Sequence, residues 1–281
     1  MGASDHPTLD GMPTPLYAAA PARLGTYLDC PRRYRLGYLD RPTPPRTSSW
    51  GHHSVGSAVH HALARWWDLP LARRTPDAGG ELVAGGWIAE GFRDARQSAV
   101  ARDRARGQVE RYLTGVDPAA VPVAVERTLT VRTEHALLWG RVDRLDDRGA
   151  GGLVVVDYKT GRHAPTEGDV RDSLTMAVYA AAAAETLHAP CLRVELHHLP
   201  SATVAGWTHT AESLRAHLER ADALAAELAT LDAELGGVVG PAADEAFPAR
   251  VAPRCGWCEF RPACREGQSV PRRRSWEAVA D

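Results

Sequence analysis

The sequence predicts an α/β (α+β) domain in which a mixed central sheet is flanked by helices. Three observations lead there. Helical and strand-like segments interleave in the order helix, three strands, helix, strands, helix, which packs helices onto sheet faces. Between Val121 and Gly161, strand-like runs are cut by glycine turns. An amphipathic repeat at helical spacing from Ala211 to Leu235 ends at Gly236–Gly237. The 281 residues suffice for one large domain with its own core, and 44% hydrophobic with 24% charged residues is a soluble globular composition.

In chain order, residues 1–20 are rich in Pro, Gly and small residues and read as a flexible lead-in. They lack the basic and apolar regions of a signal peptide. No run approaches the ~18 apolar residues of a membrane span, so a cytoplasmic location is expected. Leu24, Tyr27, Leu28, Tyr34 and Leu36 form a loosely helical pattern broken at Cys30-Pro31. Arg32, Arg33 and Arg35 surround Tyr34 there, a pattern that suits either stacking on a single strand or an ordinary solvated helix face. Residues 41–50 read as a linker. Val55, Val59, Ala62, Leu63 and Trp66 then mark one face of a strong helix carrying His60 and His61. Residues 81–113 add one or two Arg-rich helices. VPVAVERTLTVRT, HALLWGRVDRLDD and GGLVVVDYKTG are three strands, followed by the helix RDSLTMAVYAAAAAETLHA, the strands LRVELHHLP and TVAGWTHT, and the long helix.

The chemistry concentrates in WGRVDRLDDRGAGGLVVVDYKTGR, residues 139–162. LVVVDYK reads as a strand buried on both faces, yet it ends in Asp157 and Lys159, which share a face because side chains at i and i+2 of a strand do. Gly149, Gly151 and Gly152 turn the chain back so that Asp143 can join them. Two carboxylates at one point repel unless a cation sits between them, and hard divalent cations prefer such oxygen ligands. Of 33 Lys plus Arg residues, Lys159 is the single Lys. A chain that uses Arg for every other positive charge points to a need for an ammonium at this position. Glu126 is either a further ligand or base, or a salt-bridge partner. The formal net charge of −2 leaves nucleic-acid binding to local basic patches. Near the C-terminus, Cys255, Cys258 and Cys264 are spaced C-x₂-C-x₅-C, which suggests metal or iron–sulfur ligation. Cys30 is a better fourth ligand than Cys191, which reads as a core residue.

These residues resemble a RecB-like member of the PD-(D/E)XK nuclease superfamily, as in RecB and AddB nuclease domains. GSAVHHAL resembles the family's helical His motif and maps onto His60, GRVDRL onto the metal-ligand Asp143, and VVDYKTG onto Asp157 and Lys159. The family's Q-x-x-x-Y motif finds Tyr179, with Thr175 where Gln is usual. The resemblance implies a restriction-endonuclease-like fold, with one nuclease domain over residues 21–266, a helical insert at about 55–115, a cysteine cluster at 255–264 and a tail at 267–281. It implies Mg²⁺ or Mn²⁺ held by His60, Asp143, Asp157 and the Tyr158 carbonyl, with Lys159 catalytic. It also implies a [4Fe–4S] cluster on Cys30, Cys255, Cys258 and Cys264 joining the two ends of the domain, and contacts to DNA from Tyr179, Arg32, Arg33 and Tyr34. The activity implied is a DNA exonuclease of repair or recombination, with a helicase or repair protein as partner. The alternatives are a non-catalytic nucleic-acid-binding or scaffold module of the same fold, and a zinc-ribbon adaptor.

Overall fold

The computed structural model describes residues 16–46 and 50–279. Six strands and nine α-helices follow in chain order among them: β1 (Tyr17–Ala19), α1 (Pro21–Asp29), α2 (Pro31–Tyr34), α3 (Gly51–Trp67), α4 (Pro76–Gly85), α5 (Ala95–Leu113), β2 (Ala124–Arg132), β3 (Ala136–Asp147), β4 (Leu153–Lys159), α6 (Glu167–Arg171), α7 (Leu174–Leu187), β5 (Cys191–His198), β6 (Thr203–Thr208), α8 (Ala211–Leu235) and α9 (Pro241–Ala246). A π-helical turn, Arg35–Leu39, follows α2, and three 3₁₀ turns follow α9. Local chemistry sets several boundaries. Cys30 is extended before Pro31 and separates α1 from α2. Ser173 and Thr210 cap α7 and α8 by accepting N–H bonds from Met176 and Ser213.

The sheet is mixed, in the order β1-β3-β4-β5-β6 with β2 also on β3. β1 runs parallel to β3 and β4 to β5, while the β2–β3, β3–β4 and β5–β6 pairs are antiparallel. The α/β expectation of a mixed sheet flanked by helices therefore holds. β4 is central, and its two faces feed two cores. Leu153 and Val155 join a core that includes Leu24, Met176 and Leu228 of α1, α7 and α8. Val154, Val156 and Tyr158 join one built with Val59, Trp66, Val83 and Val109 of α3, α4 and α5. The β3–β4 turn uses the left-handed backbone of Gly149 (φ 60°) and Gly152 (φ 72°), as glycine permits.

β3 is the strand that positions the site. One edge pairs with β2 along its length. The other pairs with β1 at Ala136–Leu138 and with β4 at Arg144–Asp147. Between those stretches no strand is registered against that edge among the described residues.

One sequence expectation is corrected. The lead-in does not extend to residue 20, because Tyr17–Ala19 form β1, registered on Ala136–Leu138; residues 1–15 of that reading lie outside the described residues, as do residues 47–49 of the linker. Such a three-residue strand has no alternation long enough to read, and it depends on a partner more than a hundred positions away. Residues 275–279 pack against the domain. Gly51 donates its N–H to the Ser275 carbonyl (3.2 Å), Arg162 donates to the Glu277 carbonyl (3.2 Å), and Gln97 donates to the carbonyls of Trp276 and Val279. No helix among the described residues is long and apolar enough to cross a membrane.

Candidate metal centre

Asp143 stands where β3 and β4 part. Their ladder stops at Arg144 opposite Val156. The next β4 N–H with an inter-strand role, that of Tyr158, donates to Asp143 Oδ2 at 2.7 Å. The carboxylate thus satisfies a backbone donor that the splayed strands leave unpaired. Its other oxygen, Oδ1, lies 3.1 Å from Nδ1 of His60, a half-buried residue of α3. Glu126 sits on β2 between Val125 and Arg127, which are registered on Arg144 and Val142, so it lies across from Asp143. Its φ of 50° is a left-handed conformation that costs a non-glycine residue about 1–3 kcal/mol. Ligand atoms of His60, Glu126 and Asp143 all lie within 4.8 Å of one another, and all three residues are half-buried.

Asp157 and Lys159 lie side by side at the end of β4, with Oδ2 2.6 Å from Nζ. Tyr158 points away, into the second core, where its hydroxyl accepts from Arg144 (3.0 Å). Asp157 Oδ2 is buried, and the ammonium is its close contact without well-angled hydrogen-bond geometry. The electrostatics report crowding. Burial first, and then the Asp143 charge, raise the Asp157 carboxyl above its ordinary range against the pull of Lys159. Burial raises Glu126 as well, with Asp143 adding to it and Arg141 opposing. Burial pulls the His60 imidazole down, but its bond to Asp143 and the charges of Asp143, Asp157 and Glu126 outweigh that and raise it. Half-buried carboxylates that repel one another around an imidazole form a donor set suited to a divalent cation.

Tyr179 of α7 packs on β3 at Gly140, where a β-carbon would come within 2.2 Å of the ring carbon Cε1. Burial, then the charges of Asp157 and Asp143, push its hydroxyl up to about 12. Thr175, one helical turn earlier, is half-buried like Tyr179. His60, rather than His61, reaches Asp143. Arg141 was not singled out by its sequence context, yet its Nε lies 2.8 Å from Glu126 Oε2. The available signal was its place two residues before Asp143 on one strand.

Arg32, Arg33 and Tyr34 do not line this centre; their partners lie in α8 and the C-terminal segment. Tyr34 is fully buried, stacks on Phe247 and hydrogen-bonds Asp232 of α8 (2.9 Å). Arg32 is buried and donates to the carbonyls of Phe247 (3.0 Å) and Asp244 (3.1 Å) and to Glu266. Arg33 pairs with Glu259 at 3.1 Å. These side chains fasten the N-terminal helices to the C-terminal segment. The cysteines meet at the same junction. Cys30, Cys255 and Cys258 line one cavity of about 440 Å³, and the side chain of Cys264 lies near that of Cys255 beside Gly267. Sγ of Cys30, Cys255 and Cys264 accepts backbone N–H from Arg250, Ala252 and Gly267 at 3.5, 3.5 and 3.3 Å. Among the described residues, no three cysteine sulfurs lie within 4.8 Å of one another.

The profile of the PD-(D/E)XK nuclease superfamily matches residues 18–265. The chain belongs to the PD-(D/E)XK nuclease superfamily. The match spans β1 through the last cysteine and so takes in the splayed β3–β4 pair. A search of curated proteins gives no match. Among solved structures, the crystal structure of SSO0001 aligns over 90% of this chain and 88% of that one, at 15% identity and a TM-score of 0.38, too low to carry an argument.

Proposed function

We propose that this chain is a Mg²⁺- or Mn²⁺-dependent deoxyribonuclease of RecB-like type, hydrolysing phosphodiester bonds as an exonuclease in DNA repair or recombination. The observation that carries the reading is the approach of His60, Glu126 and Asp143 to one another beside the Asp157–Lys159 pair. His60, Glu126, Asp143 and Asp157, with the Tyr158 carbonyl, would hold the ion. Bound there, a divalent ion supplies Lewis acidity toward phosphate and a hydroxide nucleophile at neutral pH. Lys159 is half-exposed at the strand end and orients the attacking water or neutralises charge on the phosphate. Tyr158 anchors the strand end through the second core, so the two side chains that flank it keep their shared face.

Cys30, Cys255, Cys258 and Cys264 would hold an iron–sulfur cluster that fastens the two ends of the domain. Backbone N–H bonds to sulfur suit anionic thiolates. Iron and sulfide analysis of anaerobically purified protein tests this: both are expected, and zinc without iron would refute it.

The nuclease reading is tested by incubating linear and covalently closed circular DNA with Mg²⁺, Mn²⁺ or EDTA. Metal-dependent degradation of the linear form alone is expected. Cutting of the closed circle would refute the exonuclease assignment, and no cutting with either metal would refute the nuclease reading for the isolated chain.

A further inference from the structure

We propose that the exposed face of the β2–β3 ribbon seats the substrate strand, with Trp139 stacking on a base and Arg141 holding a neighbouring phosphate. This rests on the nuclease reading above and assigns a positioning surface to it. From Ala136 to Val142, β3 alternates strictly between buried and exposed residues. Leu137, Trp139 and Arg141 therefore share the outer face, about 7 Å apart in sequence steps of two. Trp139 is 43% exposed, although an indole on a regular strand gains much by burial.

Three features separate this tryptophan from an incidental surface hydrophobe. Its neighbours leave it open: Thr130 is registered across from Trp139 and Thr128 across from Arg141. The patch has the sign of charge that suits a phosphate backbone, since Arg132 lies across from Leu137 and none of these six residues is acidic. The patch is also continuous with the centre, because Arg141 Nε lies 2.8 Å from Glu126, whose carboxylate belongs to the His60–Glu126–Asp143 group. The Arg141 side chain is 66% exposed, so its remaining N–H groups stay available to a phosphate. Beside Trp139 and Arg141, the far edge of β3 carries no strand among the described residues.

An open indole face beside an arginine selects an unpaired strand. In a duplex both faces of each base are already stacked, whereas a single strand offers a free face, and base–aromatic stacking tolerates any sequence. The occupant is therefore a single-stranded nucleic acid running along the ribbon toward Glu126 and Asp143.

The test measures binding in the full chain carrying Lys159→Ala, with Mg²⁺ present, to a single-stranded oligonucleotide and to a blunt duplex of the same sequence. Adding Trp139→Ala is expected to weaken single-strand binding about tenfold and to leave duplex binding within about twofold, with Trp139→Phe recovering most of the loss. Single-strand affinity within about twofold of the parent, or equal losses on both substrates, would overturn the proposal. A second measurement leaves the platform intact: single abasic positions are scanned along the strand cut by the otherwise unaltered protein. One position at a fixed offset from the cut should slow cleavage, and Trp139→Ala should remove that sensitivity; a flat scan would overturn the proposal. Binding needs no turnover, so the two readings fail separately. Trp139-dependent binding by a wild-type chain that never cuts refutes the nuclease reading and supports the platform. Cleavage with Trp139-independent binding refutes the platform alone.

Discussion

Replacing Asp157 with Asn should separate the stability of the metal-free fold from the stabilisation that metal brings. Asp157 is buried beside Asp143, and its carboxyl is raised by burial and then by that neighbour's charge. A raised carboxyl favours the protonated form in the folded state. Its stabilising contribution is present at low pH and lost as pH rises through the folded value. At neutral pH, ionised Asp157 therefore works against the metal-free fold. Asn removes that charge and also loses the Lys159 pair, which is half-exposed and contributes on the order of 0.5 kcal/mol. Metal-free Asp157→Asn should melt no lower than wild type. A ligand at a hundred times its dissociation constant stabilises by about 2.7 kcal/mol. For a chain of this size that corresponds to roughly 5–10 °C. Thermal unfolding with and without saturating Mn²⁺ should show a shift of that order in wild type and almost none in the variant. A variant that keeps the shift, or that melts far below wild type without metal, would refute the reasoning.

Three further outcomes follow from other contacts. Asp232→Ala should cost about 2–4 kcal/mol in denaturant unfolding, because Tyr17, Tyr34 and Arg23 all direct donors at that carboxylate. Gly140→Ala should cost about 1–3 kcal/mol and lower cleavage, since its β-carbon would meet the Tyr179 ring; adding Tyr179→Ala should restore stability, and failure to do so would show that the clash is not with that ring. Glu195 is buried; burial raises its carboxyl, but His197, Arg148 and Arg193 overcome that and bring it down to about 2. That stabilisation is present above the ordinary glutamate value and lost as pH falls toward about 2. Urea unfolding of Glu195→Gln should consequently depend less on pH between 5 and 2, by about 1–2 kcal/mol after discounting for its half-exposed arginine partners.

The β3–β4 hairpin was legible because glycine turns, a continuous apolar run and two-residue spacing all act locally. The same holds for the shared face of Asp157 and Lys159 and for the inner face of α3. What the sequence concealed depends on distant partners or on backbone conformation. The left-handed φ of Glu126 has no glycine to announce it, so its place in the centre was left open between ligand and salt bridge. Arg32 read as exposed because arginine is seldom buried, and Tyr34 was left between stacking on a strand and an ordinary helix. Their partners Asp232, Asp244 and Phe247 lie near the other end of the chain, where no local pattern links them. Trp139 was visible as a residue but not as an exposed one, because the alternation of β3 had to be set against its pairing partners to show which face is open.

The most direct test of the central claim is single-turnover cleavage of an end-labelled DNA strand by wild type, Lys159→Ala and Lys159→Arg, with Mn²⁺ or EDTA. The account predicts cleavage by wild type with Mn²⁺ and none with EDTA. It predicts that both variants bind the strand yet cut it at least about a hundredfold more slowly, because a positioned compact ammonium is required. Cleavage that persists in EDTA, or either Lys159 variant cutting at the wild-type rate, would contradict it.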